Sequence, residues 1–343
     1  MRFITYALFS IVILASLDCS KSPSVVHLHS PVDSIVACIA AENVLTSSGV
    51  GYAGTEPEQW RNYLKLEAQA SDEELCNLVL HQNPVVRCYA FQALAHRQYA
   101  NTCRVLLEHI SDTVQVRTFF GCVISAEPVA EYLIEVVTPE CIDTSFYKLN
   151  ADERSVLDSV LLYRPQLQLE ARAELLARLA PAERHYARVK QIASEEPAPE
   201  ALPALARFQK SNDVPFIRAI LRKNEDRSVC YAIRAVRENP DTAFLQDLLS
   251  LFEAEWGHRS YNYQKWRNLY QALARYPCSQ TLSLFNRTLD CRDEFRKEIL
   301  GMFLGVALAK YPNSLYDSLR MRIAQDKALQ KDVAEELESE TAT

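Results

Sequence analysis

The stretch "NPVVRCYAFQALAHR", residues 83–97, decides the fold class of this chain. Asn83 is a good N-cap because its side-chain oxygen can accept hydrogen bonds from free backbone N–H groups. Pro84 suits the first helical position, where the missing N–H would have had no partner. The following apolar residues fall on two roughly opposite faces, one containing Tyr89 and the other Phe91. A helix that is apolar on two sides is usually buried on two sides, so the stretch predicts an inner helix packed between neighbours.

Similar segments recur along the chain. The segment "CYAFQAL" (88–94) matches "CYAIRAV" (230–236), and "FQALAHR" (91–97) matches "YQALARY" (270–276). The segment "PVVRCYAFQAL" (84–94) matches "VQVRTFFGCVI" (114–124). The last pair aligns Arg117 with Arg87, and the first aligns Ala232 with Ala90. Self-similarity at periods of about 20–50 residues is typical of solenoid arrays. We therefore expect 114–124 to be the second helix of a pair, and both alanines to lie at tight helix contacts.

Composition favours an all-α protein. The 343 residues are 48% hydrophobic and include only 7 glycines, whereas sheet proteins usually need more glycine in their turns. Single cores seldom exceed about 250–300 residues, and a solenoid avoids that limit because each repeat contacts only its neighbours. A total of 37 basic and 44 acidic residues gives a net charge of −7, which argues against general nucleic-acid binding.

The repeated phrases resemble HEAT-like repeats, which are stacked helix pairs with a Val/Arg start to the second helix. The resemblance implies an all-α solenoid in two halves, with N-terminal helical repeats over 57–193 and C-terminal repeats over 194–325. Three prolines within 194–203 predict a hinge between the halves, and an acidic tail follows over 326–343. The resemblance also implies that the early arginines, Arg87 and Arg117, brace neighbouring repeats through hydrogen bonds.

The first residues, "MRFITYALFSIVILASLDCSK", have the features of a targeting segment. A short positive n-region precedes a 15-residue apolar run over 3–17, which is short for a membrane span. Cys19 directly follows, and this layout resembles a bacterial lipoprotein signal, although Ser16 and Asp18 depart from its usual residues. The resemblance implies a signal segment over 1–19, lipidation at Cys19, and a lipoprotein in the bacterial cell envelope, facing the periplasm or the exterior. Cleavage elsewhere or an uncleaved anchor are the alternatives.

Residues 20–56 are predicted to form a tether and a Gly-rich loop, with a first helix over about 31–46. The segment "GVGYAG", 49–54, matches the spacing of a dinucleotide-binding loop. Acidic residues at the start of the next helix would repel phosphate, and no strand is predicted before it, so a turn-rich loop is the favoured interpretation. His27 and His29 are likewise interpreted as part of a solvated linker rather than a metal site.

Aromatic and basic residues are concentrated in "SYNYQKWRNLYQALARY", 260–276. Tyr263 and Trp266 follow helical spacing, which favours a core stripe. Because Arg267 and other basic residues surround them, Tyr263, Trp266 and Arg267 are the candidate contacts with a partner.

The sequence contains no recognised catalytic motif, and we predict no cofactor, no metal, no nucleic acid and no small-molecule substrate. The favoured function is a membrane-tethered helical-repeat scaffold that binds a protein partner in the cell envelope without catalysis. The alternatives are a lyase- or transferase-type enzyme whose active-site residues are scattered over a HEAT-like scaffold, and a purely structural envelope component.

Overall fold

The computed structural model describes residues 30–138 and 145–342 and is mostly helical, with 68% helix. The prediction of a mostly helical chain is confirmed, and the strands of the described residues form one small three-stranded sheet. The α-helices in this part of the chain are α1 (Pro31–Glu42), α2 (Glu58–Gln69), α3 (Asp72–Leu78), α4 (Pro84–His96), α5 (Thr102–His109), α6 (Val129–Val137), α7 (Ala151–Tyr163), α8 (Glu170–Arg178), α9 (Glu183–Glu195), α10 (Ala201–Ala206), α11 (Val214–Lys223), α12 (Asp226–Glu238), α13 (Leu245–Gly257), α14 (Tyr263–Leu273), α15 (Ser279–Leu289), α16 (Glu294–Lys310), α17 (Asp317–Gln325) and α18 (Lys327–Ala342).

The predicted start of the central helix is confirmed at α4. The Asn83 side chain accepts hydrogen bonds from the N–H groups of Val85 (2.9 Å) and Val86 (3.2 Å), and Pro84 occupies the first turn. Every residue of 85–95 is buried. This burial is the result expected for a helix that is apolar on two sides, because α4 packs against α1, α2, α3 and α6.

A three-stranded sheet is the main departure from the prediction. Its strands are β1 (Leu45–Val50), β2 (Gln115–Gly121) and β3 (Val123–Pro128), in the order β1-β2-β3. Strand β1 runs parallel to β2, with Leu45 opposite Thr118, and β2 and β3 form an antiparallel hairpin with Phe120 opposite Val123.

The hairpin corrects the alignment of 114–124 with the helix at 84–94. Arg117 is an exposed residue of β2 and not the early arginine of a second helix. Two local causes favour a strand here. Exposed and buried residues alternate from Gln115 to Thr118, and the β-branched Val116 and Thr118 lie on the buried face. Gly121 supplies the positive φ of 54° at the turn.

Helices two apart along the chain pack against each other over most of the molecule. The helix pairs in contact are α2 with α4, α4 with α6, α6 with α8, α8 with α10, α10 with α12, α12 with α14, α14 with α16, and α16 with α18. Each of these inner helices therefore contacts the next one, while helices such as α11, α13 and α15 contact the inner helices that follow them.

The apolar core divides into two clusters that meet at α10. Ala201 and Leu205 belong to the first cluster, and Leu202 and Ala206 to the second. The residues of this short helix are all buried. The Pro-rich interrupter, which we expected to act as a hinge, thus leads into a helix that both clusters share. The hinge itself stays a prediction.

The acidic C-terminal stretch, which we expected to be a tail, contains α18. Its Leu329 and Val333 are buried against α16. Glu336 pairs with Arg267 of α14, which further fixes the helix. The segment is acidic in composition, yet its helix has an apolar face that includes Leu329 and Val333.

Within residues 30–138 and 145–342, no helix combines the length and the apolar character that crossing a bilayer requires. The predicted lipidation site, Cys19, and the histidines His27 and His29 lie outside the described residues.

Candidate functional site

The N-terminal half contains a half-open cavity of about 440 Å³. It lies among α2, α4, α6 and the sheet. Its lining residues are Thr46, Ser47, Ser48, Trp60, Tyr63, Leu64, Glu67, Gln92, His96, Phe120, Tyr132, Glu135, Val136 and Phe146. A cavity of this size, lined by five Trp, Tyr or Phe residues, two aliphatic residues and seven polar ones, has the character of a ligand-binding site.

One face of α2 forms the first wall. Trp60, Tyr63, Leu64 and Glu67 follow the spacing i, i+3, i+4, i+7, which places them on one side of the helix. The rings of Trp60 and Tyr63 lie 4.8 Å apart, centroid to centroid. Tyr63 also stacks at 5.0 Å on Tyr89 of α4, so the wall is held to the buried central helix.

Helices α4 and α6 supply the second wall. Gln92 and His96 lie one turn apart on α4, and Tyr132 and Glu135 lie nearly one turn apart on α6. The Tyr132 hydroxyl donates to the Gln92 side-chain oxygen at 2.5 Å, which joins the two helices inside the core.

The hairpin and a loop close the remaining sides. Phe120 of β2 lies 6.3 Å from the ring of Tyr132. Phe146 lies 5.5 Å from the ring of His96. Its position is fixed by its neighbours, since the Tyr147 N–H donates to the Ala95 carbonyl at 2.8 Å.

An imidazole and a carboxylate meet at the cavity wall. His96 Nδ1 contacts Glu67 Oε1. The Glu67 side chain is 15% exposed, while that of His96 is 43% exposed. When Nδ1 carries the proton, the carboxylate fixes the tautomer and leaves Nε2 as a hydrogen-bond acceptor. This pair is the one chemically reactive arrangement that we find among the lining residues.

The two lining phenols stay protonated. Burial is the main cause that raises the pKa of Tyr63, and the nearby Glu67 carboxylate adds to it. Burial likewise raises the pKa of Tyr132 well above its ordinary value. Both hydroxyls therefore act as neutral hydrogen-bonding groups and not as phenolate bases.

Three carboxyl groups lie close together on α6 and on β3, next to the second wall of the cavity. Glu135 lines the cavity and shares a hydrogen bond with Glu127 of β3. Burial, together with Glu135 and Glu131, raises the pKa of Glu127 to about 7. Burial and Glu131 also raise the pKa of Glu135. Glu131 accepts hydrogen bonds from the N–H groups at the start of α8, Glu170 (2.7 Å) and Ala171 (2.9 Å). Three carboxyl groups, those of Glu127, Glu131 and Glu135, therefore lie on this side of the cavity.

The candidate partner contacts of the sequence lie away from the cavity, in α14. Trp266 is only 1% exposed, and its indole N–H donates to the Ser260 carbonyl at 3.0 Å. Arg267 pairs with Glu336 and lies 5.1 Å over the ring of Phe303. Trp266 is thus part of the core, as the helical spacing favoured, while a contact of this region with a partner stays a prediction. Tyr263, 40% exposed, is the most accessible of the three predicted residues.

The remaining repeat positions lie in the core. Ala90 and Ala232 are both fully buried, on α4 and α12. Arg87 is buried at 7% and donates to the His81 carbonyl at 2.8 Å, while its Nε lies 2.7 Å from the Asp112 carboxylate. It therefore connects the turn before α4 with the loop after α5.

The Gly-rich segment forms the end of β1 and a tight turn. Gly51 and Gly54 have positive φ angles of 69° and 61°, and Val50 pairs with Thr55 across the turn. Arg61 of α2 forms ion pairs with Glu56 and Glu58, so acidic groups occupy the start of that helix. This arrangement agrees with a turn, whereas the expectation that no strand precedes the segment is wrong, because β1 leads into it.

The described part of the chain forms neither a metal site nor a disulfide. No group of three or more His, Cys, Asp or Glu side chains there is placed to hold a metal ion. The cysteines described are free thiols, and burial raises the pKa of Cys88.

Comparison of the chain with protein-family models, with curated proteins and with solved structures found no match.

Sequence reasoning missed the cavity because its lining residues are spread over 46–146 and meet only in the folded chain. One local signal was present. The segment "WRNYLKLE", 60–67, places two aromatic residues, a leucine and a glutamate on one helical face.

Proposed function

We propose that this chain is a membrane-tethered helical-repeat scaffold that binds a protein partner through the cavity among α2, α4 and α6. The packing of every second helix on the next is the arrangement expected of stacked repeats, and it supports a solenoid. Such scaffolds present a continuous row of inner helices to a partner. The cavity lies among three of the inner helices, and its volume of about 440 Å³ is large enough to hold a side chain.

The single observation that carries the proposal is the aromatic lining of the half-open cavity. Binding energy at protein interfaces is concentrated where an anchor side chain fills a pocket that excludes water. The rings of Trp60, Tyr63, Phe120, Tyr132 and Phe146 offer such a pocket. Their positions are fixed by helix packing and by hydrogen bonds such as Tyr132 to Gln92, so little ordering is needed on binding.

A steric block tests the proposal. Leu64 lines the cavity and is 43% exposed, so Leu64→Trp should narrow the opening without disturbing the core. Leu80→Trp is the matched control, because Leu80 is 71% exposed and does not line the cavity. The full chain, crosslinked in native membranes and purified, should capture a protein that the Leu80→Trp variant keeps and the Leu64→Trp variant loses. Identical capture by both variants would contradict the proposal.

The membrane tether rests on the lipoprotein-like segment that ends at Cys19. We propose that acyl chains on this cysteine anchor the chain, since two or more chains give stable attachment. Cys19→Ser removes the acceptor thiol, and the variant should lose the lipid label and keep a longer N-terminus. Mass spectrometry of the mature N-terminus decides the question. An unmodified wild-type N-terminus that starts elsewhere would contradict lipidation.

A second candidate function, a lyase- or transferase-type enzyme, is favoured by the contact between His96 and Glu67. A carboxylate that orients an imidazole is the arrangement used for general acid–base catalysis, and here it faces a cavity. The test is incubation of a membrane extract with the full chain and with the His96→Gln variant. A compound consumed only by the wild type would support catalysis, whereas unchanged extracts would contradict it.

A further inference from the structure

The carboxylates of the cavity wall outnumber its basic groups. Glu67 and Glu135 contribute carboxyl groups to the wall, and His96 is the one basic residue among the lining side chains. Because His96 contacts Glu67, its charge, when it is protonated, is already matched. The lining contains no lysine or arginine, so an anionic ligand would meet no fixed positive charge.

Two further carboxyl groups lie next to Glu135 and add to the acidic character of this wall. Glu127 and Glu131 lie behind Glu135, and none of the three forms an ion pair with lysine or arginine among the described residues. Glu131 is compensated by the start of α8. Glu127 and Glu135 share a hydrogen bond and have no cationic partner of their own. Glu127 is partly buried and Glu135 is exposed, and a neutral apolar ligand that closed the cavity would remove water from Glu135 without supplying a charge partner, which is costly.

The aromatic walls suit the same kind of ligand. The negative face of an aromatic ring attracts a cation within roughly 6 Å of its centre, and tryptophan does so most strongly. Trp60, Tyr63 and Phe120 contribute rings from two different elements, and Tyr132 and Phe146 complete the walls. Several rings with adjacent carboxylates form the type of cage that binds ammonium groups.

We infer that the group that enters this cavity is an organic cation, an alkylammonium or guanidinium carried by a basic side chain of the partner. The inference deepens the proposed function and rests on it. A lysine or arginine side chain supplies an apolar stem for the rings and a charged end for the Glu135 side of the wall. A free small amine has the same chemistry, and the experiment separates the two sources.

The experiment compares two probes of equal shape and different charge. Choline carries a quaternary ammonium, and 3,3-dimethylbutan-1-ol replaces it with a neutral carbon. Both are titrated into the full chain, and binding is followed by ligand-detected NMR saturation transfer. We expect choline to bind roughly tenfold more tightly. The Glu135→Gln variant should reduce that preference, whereas Glu298→Gln, at an exposed position on α16, should leave it unchanged.

The charge comparison within the wild-type chain needs no variant, so it stands even if Glu135→Gln fails to fold. Equal binding of the two probes, or no binding of choline, would overturn the inference. Equal binding would still leave the cavity as a binding site, and the Leu64→Trp capture test would then judge the proposed function separately. A capped Gly-Arg-Gly peptide that binds more tightly than choline supports a partner side chain. Binding of choline without the peptide would overturn the assignment to a partner.

Discussion

Arg87 carries the clearest structural role that a single residue has in this fold. Its guanidinium donates to the carbonyls of His81 (2.8 Å) and Gln82 (3.1 Å) and pairs with Asp112. Both side chains of the pair are largely buried, at 9% and 14% exposure. The arginine thus holds the start of α4 to the segment that leads into the hairpin, and the hairpin covers the cavity.

We expect Arg87→Ala to lower the free energy of unfolding by about 3 kcal/mol, because Asp112 and two carbonyls lose their partner in a buried place. Arg222→Ala is the control, since the Arg222 side chain is 60% exposed and should contribute less than about 0.5 kcal/mol. Urea unfolding measures both. Equal losses of stability would contradict the bracing role.

Ala90 and Ala232 test the packing of the inner helices. Both are fully buried, so a leucine at either position must displace its neighbours. We expect Ala90→Leu and Ala232→Leu each to cost about 1–3 kcal/mol of stability. Ala68→Leu, at an exposed position on α2, should be nearly neutral. Thermal melting checks the set, and unchanged melting of both buried variants would contradict tight packing.

Glu127 should make stability depend on pH. Its pKa is raised to about 7 in the folded chain, against an ordinary value of 4.5. The folded state therefore binds the proton more tightly than the unfolded state, and stability should fall as pH rises from about 4.5 to 7. In urea unfolding across this window, Glu127→Gln should flatten the fall, whereas Glu298→Gln should not. A profile that is the same in all three proteins would contradict the assignment.

At the scale of elements, the sequence predicted helices better than strands, for a physical reason. The Asn83-Pro84 start is a local signal, and α4 begins where it predicts. The phrase at 114–124 shares Val and Arg with that helix, but its alternation from Gln115 to Thr118 matches a strand. The similarity to α4 predicts a helix at 114–124 and the period-two alternation predicts a strand, and the structure agrees with the alternation.

The docking of α18 on α16 makes a prediction at the same scale. A Cβ added at Gly305 would overlap Val333, whereas one at Gly301 would meet the nearest Leu329 carbon at 3.4 Å, an ordinary contact. Gly305→Ala should therefore destabilise the protein, although alanine favours the helix by about 1 kcal/mol. Gly301→Ala should be neutral or stabilising. Adding Val333→Ala to Gly305→Ala should restore part of the lost stability, and thermal melting measures all of these variants. Equal effects of Gly305→Ala and Gly301→Ala would contradict the docking.

At the scale of the whole molecule, local patterns identify most helices but not the site. The rings of Trp60, Phe120 and Phe146 come together only because β1 pairs with β2 and because α4 lies between α2 and α6. The aromatic segment at 260–276 was more conspicuous in the sequence, yet Trp266 serves the core. Long-range packing decides which aromatic residues line a cavity, and no local pattern contains that information.

The central claim is that the cavity among α2, α4 and α6 receives a basic side chain of a protein partner. Photo-crosslinking tests it most directly, with p-benzoylphenylalanine placed at position 64 or, as a control, at position 80 of the full chain in native membranes. We predict that position 64 crosslinks one partner efficiently, that position 80 does not, and that the crosslinked partner peptide contains lysine or arginine beside the attachment point. Equal crosslinking from both positions, or attachment to a segment without basic residues, would contradict the account.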